Sequence, residues 1–155
     1  MNKIVFLDID GVLTTKDTSY FTNSYALNPK NVDRARRLLD ATGAKMVWST
    51  NWRGKDDGVW VHNGIVTKSL FPEARRIFKD YEFEVPMKRN HGCSKYVDII
   101  GWLRENMWAW SDFAIIDDQG NQQLELFGEN FFRTDFDVGL TDCDVDRIVK
   151  YLDEE

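Results

Sequence analysis

Ile4-Val-Phe-Leu7 and Phe113-Ala-Ile-Ile116 contain no polar side chain, and Ala44-Lys-Met-Val-Trp48 contains only one. A strand with one wet face alternates apolar and polar residues; a uniformly apolar strand is covered on both faces. Such strands belong to parallel sheets sandwiched between helices, because parallel neighbours need crossover connections that lie across the faces. The stretches between these runs carry the helical signals that this arrangement needs. The expected architecture is therefore α/β, with a mostly parallel central sheet in a three-layer α/β/α sandwich.

The helices announce themselves by their ends. Asn28 caps and Pro29 opens a helix whose apolar face is Val32, Ala35, Leu38 and Leu39, and Gly43 stops it. Residues 72–81 read as a second helix and residues 82–85 as a short strand. Residues 94–106 read as a strong helix with Tyr96, Ile99, Ile100 and Leu103 on one face. Residues 131–134 read as a last short strand. Thr141-Asp-Cys-Asp144 resembles a capping box ahead of Val145, Ile148, Val149 and Leu152, which mark the closing helix. Residues 14–27 and 54–71 carry no clear period and read as irregular.

Composition narrows the partners. With 155 residues the chain is expected to form one domain, residues 1–155. A formal charge of −6 gives no general attraction to nucleic acid or anionic membrane. The two cysteines, Cys93 and Cys143, lack CxxC spacing and read as reduced thiols. The N-terminal apolar run is broken by Asp8, too short and acidic for a signal peptide or membrane span, so no membrane partner and a cytoplasmic location are expected.

Every apolar run ends in chemistry. The first stops at Asp8-Ile-Asp10-Gly11, the second at Ser49-Thr50-Asn51, the last at Asp117-Asp118. Ligands of open parallel sheets sit beyond the carboxyl ends of the strands, so four carboxylates and a hydroxyl-rich turn should share one crevice. Lys95, at the start of the helix before the last run, can reach it, but one lysine does not offset four carboxylates. A hard divalent cation does, and all-oxygen ligands without His or Cys fit Mg²⁺, which recruits substrate phosphate as a further ligand. One of the paired aspartates could attack a phosphoryl group while the other protonates the leaving oxygen. Gly11 allows a sharp turn after the pair. Thr50, with its own backbone amide and that of Asn51, could hold phosphoryl oxygens, and Lys95 could offset charge on a phosphoaspartate.

These residues resemble the motifs of the haloacid dehalogenase-like (HAD) hydrolases. Asp8–Leu13, DIDGVL, is similar to the first motif, Thr50-Asn51 to the second, Lys95 to the third and IIDDQ at residues 115–119 to the fourth. Lys95 precedes Asp117 by 22 positions, a spacing typical of that family. The resemblance implies a Rossmann-like domain, Mg²⁺ and transfer through an aspartyl phosphate. It implies Asp8 as nucleophile and metal ligand, and Asp10 as general acid and base with its backbone carbonyl on the metal. It further implies Thr50 on the phosphoryl group, Lys95 stabilising the intermediate, and Asp117 and Asp118 completing the metal site. Ser49 is an alternative hydroxyl to Thr50, and Lys88 an alternative to Lys95. An aspartate two positions after the nucleophile is the phosphatase signature, and dehalogenase members lack it. Within the family, LDIDGVL, TGAKMVWSTNWR, IIGWL, IDDQ and TDFDVGLT resemble small HAD domains of bacteria and phages, some attached to RNA-repair proteins. That likeness adds Arg53 as a phosphate or substrate contact.

Cap domains of this family are inserted after the first motif or between the second and third. Only 39 residues separate Asp10 from Thr50 and 44 separate Thr50 from Lys95, and both gaps must also hold helices. No full cap domain is expected, and the open site would admit a phosphorylated small molecule, a nucleotide or a nucleic-acid end. Trp48, Trp52, Trp60, Tyr20, Phe21 and Tyr25 fall near its rims and could stack on a base, although packing is the ordinary role of such residues. The expected activity is a Mg²⁺-dependent phosphatase (a phosphomonoester hydrolase). The alternative is a phosphate-accepting signalling or binding module of the same fold with little turnover.

Overall fold

The computed structural model describes residues 3–52, 59–86, 94–106, 113–119 and 123–154. Five strands form the central sheet: β1 (Ile4–Leu7), β2 (Lys45–Trp48), β5 (Phe83–Glu84), β6 (Phe113–Asp117) and β7 (Phe131–Arg133), in the order β5-β2-β1-β6-β7. Every pairing in it is parallel. Four helices, α1 (Pro29–Thr42), α2 (Phe71–Ile77), α3 (Lys95–Glu105) and α4 (Asp142–Asp153), complete the sandwich.

The uniform apolarity of β1 has a simple cause. Side chains alternate between faces, and here each face has its own core. Val5 and Leu7 join the cluster formed with Val32, Ala35 and Leu38 of α1, Phe71 and Ala74 of α2, and Val145 and Ile148 of α4. Ile4 and Phe6 join the opposite cluster with Ile99, Trp102 and Leu103 of α3. Phe6 meets Trp102 and Phe113 edge-on, with ring centroids 5.4 and 5.9 Å apart. Trp48 is fully buried and edge-on to Phe71, Phe78 and Phe83, so it belongs to the core and not to a rim.

Helix ends follow the sequence signals. The Asn28 side chain accepts from the Lys30 and Asn31 N–H groups, and Gly43 closes α1 at φ 64°. Thr141 and Asp144 cap each other reciprocally at the start of α4. Two expectations need correction. Helix α2 stops at Ile77: the Phe78 N–H still bonds the Ala74 carbonyl, but the Lys79 and Tyr81 N–H groups bond carbonyls three residues back, at Arg76 and Phe78, so the chain tightens into turns. The irregular stretch 54–71 contains an antiparallel hairpin of β3 (Val59–His62) and β4 (Ile65–Lys68), turned by Asn63 and Gly64, both at positive φ. Between β2 and α3 the described residues build only this hairpin, α2 and β5. Among the described residues, no helix is long and apolar enough to cross a membrane.

The strand order decides where a ligand goes. From β1 the chain moves to β2 and β5 on one side, then returns to β6 and β7 on the other. The reversal falls between β1 and β6, and the crevice at such a switch point is the binding position of open α/β sheets.

Candidate active site

Leu7 pairs with Ile116 across β1 and β6, so Asp8 and Asp117 follow side by side at the carboxyl end of the sheet. The Asp8 N–H still donates to the Ile116 carbonyl at 3.2 Å. Lys95, the first residue of α3, reaches across from the other layer. Its Nζ lies 2.9 Å from Asp8 Oδ2 and 2.6 Å from Asp117 Oδ2, and all three residues are buried. The remaining oxygens of the two carboxylates accept backbone N–H groups, Asp8 Oδ1 from Ile9 at 2.8 Å and Asp117 Oδ1 from Gln119 at 2.9 Å. Burial opposes the Lys95 ammonium, yet Asp8 and Asp117 outweigh it and hold its pKa above the ordinary value.

Asp118 completes a group of three. One oxygen each from Asp8, Asp117 and Asp118 lies within 4.8 Å of the others, so the three can hold a metal ion together. Asp118 Oδ1 is buried and has no hydrogen-bond partner among the described residues. A buried acceptor without a donor is costly, and three hard oxygen donors with one of them orphaned fit a hard divalent cation. The protonation behaviour agrees. Burial and then repulsion from Asp8 push Asp117 up to about 8 and Asp118 up to about 6, although Lys95 pulls both down. The site has more negative charge than its lysine balances.

The Asp10 carboxylate is not one of the three. It points to the rim, where Oδ1 accepts from Tyr25 Oη at 2.5 Å and Oδ2 from Trp52 Nε1 at 2.9 Å. Burial and then the Asp8 charge push Asp10 up to about 6, while the bonds from Tyr25 and Trp52 restrain the rise. Both protonation states are thus accessible near neutral pH. Burial and the Asp10 charge push the Tyr25 hydroxyl up, so it keeps its proton throughout that range.

The turn after the pair depends on Gly11, which sits at φ 75°. Its N–H donates to Thr14 Oγ1 at 3.0 Å and its carbonyl accepts from Thr134 Oγ1 at 2.7 Å. A Cβ at Gly11 would lie 2.3 Å from both Cγ and Oδ2 of Asp118. Gly11→Ala is expected to push Asp118 out of the group and to lower stability by about 1–3 kcal/mol. Urea denaturation measures the second effect, and a loss below about 0.5 kcal/mol would mean that the turn adapts freely.

At the end of β2, Ser49 and Thr50 are buried and Asn51 is exposed. Thr50 Oγ1 accepts from the Trp52 N–H at 3.2 Å, which tightens the turn, and Ser49 Oγ has no hydrogen-bond partner among the described residues. Both hydroxyls therefore remain candidates for a phosphoryl contact. Arg53 and Lys88 lie outside the described residues. Asp8, Lys95, Asp117 and Asp118 converge on one point, and Asp10 is held beside it. Sequence reasoning placed Tyr25 and Trp52 on the rims but missed their bonds to Asp10. Nothing in the spacing of residues 10, 25 and 52 encodes that meeting.

A parallel sheet whose switch point gathers DxDG, a hydroxyl turn, a buried lysine and a paired acidic motif defines a HAD-like domain. The family model described as the HAD domain in Swiss Army Knife RNA repair proteins matches residues 4–145, and the chain belongs to that family. The HAD domain is a phosphatase-type hydrolase fold. No curated protein matches the chain.

Proposed function

We propose that the chain is a Mg²⁺-dependent phosphomonoesterase that works through an aspartyl phosphate on Asp8. The observation that carries this reading is the unequal treatment of the two aspartates. Asp8 is buried against Lys95 inside the acidic group, while Asp10 stands at its edge on two neutral donors. A nucleophile needs the first environment and a proton carrier the second.

Asp8, Asp117 and Asp118, with the Asp10 backbone carbonyl that the family pattern adds, would hold the Mg²⁺. Bound there, the ion supplies positive charge that lets phosphoryl oxygens approach the carboxylates. The Asp8 carboxylate attacks phosphorus, the ester P–O bond breaks, and the leaving oxygen takes the proton of Asp10. Asp10, now a carboxylate, removes a proton from water, which attacks the acyl phosphate, releases inorganic phosphate and restores both aspartates. Lys95 keeps its charge beside Asp8 throughout. A hydroxyl from Thr50 or Ser49 and the Asn51 N–H would hold the phosphoryl oxygens, with Arg53 as a further substrate contact. The described residues between β2 and α3 form a short hairpin, α2 and β5, which supports a site without a full cap domain and substrates too large for an enclosed pocket. The RNA-repair description of the family supports testing nucleotides and nucleic-acid ends among them.

Phosphate release from 4-nitrophenyl phosphate tests the reading. Activity is expected with Mg²⁺ and should fall ~100-fold or more with chelator. Equal rates in both conditions would overturn the metal requirement. A stable phosphoaspartate without turnover would favour the phosphate-accepting module instead. A panel of phosphorylated metabolites, nucleotides and 3′- or 5′-phosphorylated oligonucleotides then ranks the substrates.

A further inference from the structure

We propose that Tyr25 and Trp52 form a positioning clamp that aims the Asp10 carboxyl at the leaving oxygen; this rests on the phosphomonoesterase reading above. Asp10 lies beyond the last paired residue of β1, in a turn that reverses at Gly11. The sheet that fixes Asp8 therefore does not fix Asp10. A proton donor displaced by about 1 Å can lose most of its catalytic effect, so something else must hold the side chain.

Two rims supply that hold. Tyr25 comes from the polar segment 14–27 and Trp52 from the turn after β2, and both pack partly against the core under the sheet. Tyr25 is edge-on to Tyr20 at 6.4 Å between centroids, which limits its swing. The Tyr25 hydroxyl donates to Asp10 Oδ1 at 2.5 Å, and the Trp52 indole N–H lies 2.9 Å from Asp10 Oδ2 and 3.1 Å from Tyr25 Oη. The three groups close a ring. The indole can only donate, so the tyrosine oxygen accepts from it and directs its own O–H at Asp10. Each carboxylate oxygen has two lone pairs, and the clamp uses one on each. A second lone pair on either oxygen remains for the transferred proton. Neither aromatic group need touch the substrate; both act through Asp10.

Leaving-group chemistry provides a test with an internal control. The 4-nitrophenolate leaves without a proton, whereas the more basic 4-methylphenolate, of similar shape, needs one. The ratio kcat/KM covers steps only up to bond cleavage, so it isolates the acid role of Asp10 from its later role as base. In Tyr25→Phe and Trp52→Phe, kcat/KM for 4-methylphenyl phosphate is expected to fall about 10–100-fold, and that for 4-nitrophenyl phosphate by about threefold or less. The double variant should lose less than the product of the single losses, because both donors serve one carboxylate. Partial misfolding lowers both substrates equally and leaves their ratio intact. Equal losses on the two substrates, or no loss on either, would overturn the clamp while leaving the phosphatase reading in place. A wild-type protein that cleaves neither substrate would overturn that reading, and the clamp's role with it.

Discussion

Asp8→Asn is expected to lower phosphate release at least ~10³-fold, about 4 kcal/mol of barrier, with the protein still folded. The substitution keeps the size of the side chain, and an amide oxygen can still accept the Ile9 N–H that Asp8 Oδ1 now accepts at 2.8 Å. It removes the charge that makes the group nucleophilic. Lys95 loses one of its two carboxylate partners but keeps Asp117 at 2.6 Å, so the buried ammonium is not left alone. Asp10→Asn should behave differently. It leaves the nucleophile in place, so 4-nitrophenyl phosphate can still phosphorylate Asp8, but no base remains to activate water. That variant should give a burst of nitrophenolate and an accumulated phosphoprotein, detectable by intact mass. An unchanged rate in Asp8→Asn would move the nucleophile elsewhere. A burst from Asp8→Asn but none from Asp10→Asn would exchange the two roles.

The elements that hold these residues were legible because they obey local rules with strong physical causes. Ile4–Leu7 is apolar throughout because two cores compete for its two faces, and that pattern alone signals a parallel sheet. The helix ends at Asn28, Gly43 and Thr141 follow from unsatisfied backbone groups that particular side chains or backbone angles relieve. The convergence of Asp8, Asp117 and Asp118 followed once strand ends were placed on one edge. The β3–β4 hairpin was missed although Asn63-Gly64 is a strong turn signal. Its Val59, Val61 and Val66 are exposed, so these apolar residues do not mark a core face, and among the described residues its two strands pair only with each other. The partners of Asp10 could not be read at all. They meet through the side chains of two loops, where neither period nor spacing constrains the outcome.

Lys95→Met should be the most destabilising of the site substitutions, and its cost should grow with pH. The change keeps an unbranched side chain in a buried position but leaves Asp8 and Asp117 facing each other without their shared cation. Breaking a buried ion pair by removing one partner costs about 3–5 kcal/mol, because the other charge stays desolvated. Protonation can relieve that cost. In the wild-type fold Asp117 is already pushed up to about 8, chiefly by burial, from its ordinary 3.8, with Lys95 pulling against the rise. Between those two values the folded state holds more protons than the unfolded chain, so stability falls as pH rises through that window. Removing Lys95 removes the downward pull, so the folded-state value climbs further and the penalty extends to higher pH. Below about pH 7 the Asp117 carboxyl is protonated in both folded proteins, and the gap between them should be smallest. It should widen above about pH 8, by up to about 1.4 kcal/mol per pH unit in the presence of chelator, because there Asp117 ionises in the wild type while the variant's carboxyl stays protonated. Added Mg²⁺ should narrow it, because an ion among Asp8, Asp117 and Asp118 replaces part of the missing charge. Urea denaturation at about pH 6, 8 and 9.5, with Mg²⁺ and with chelator, measures the gap directly. A gap that stays flat across pH and indifferent to Mg²⁺ would mean that Lys95 stabilises this crevice by packing and not by its charge.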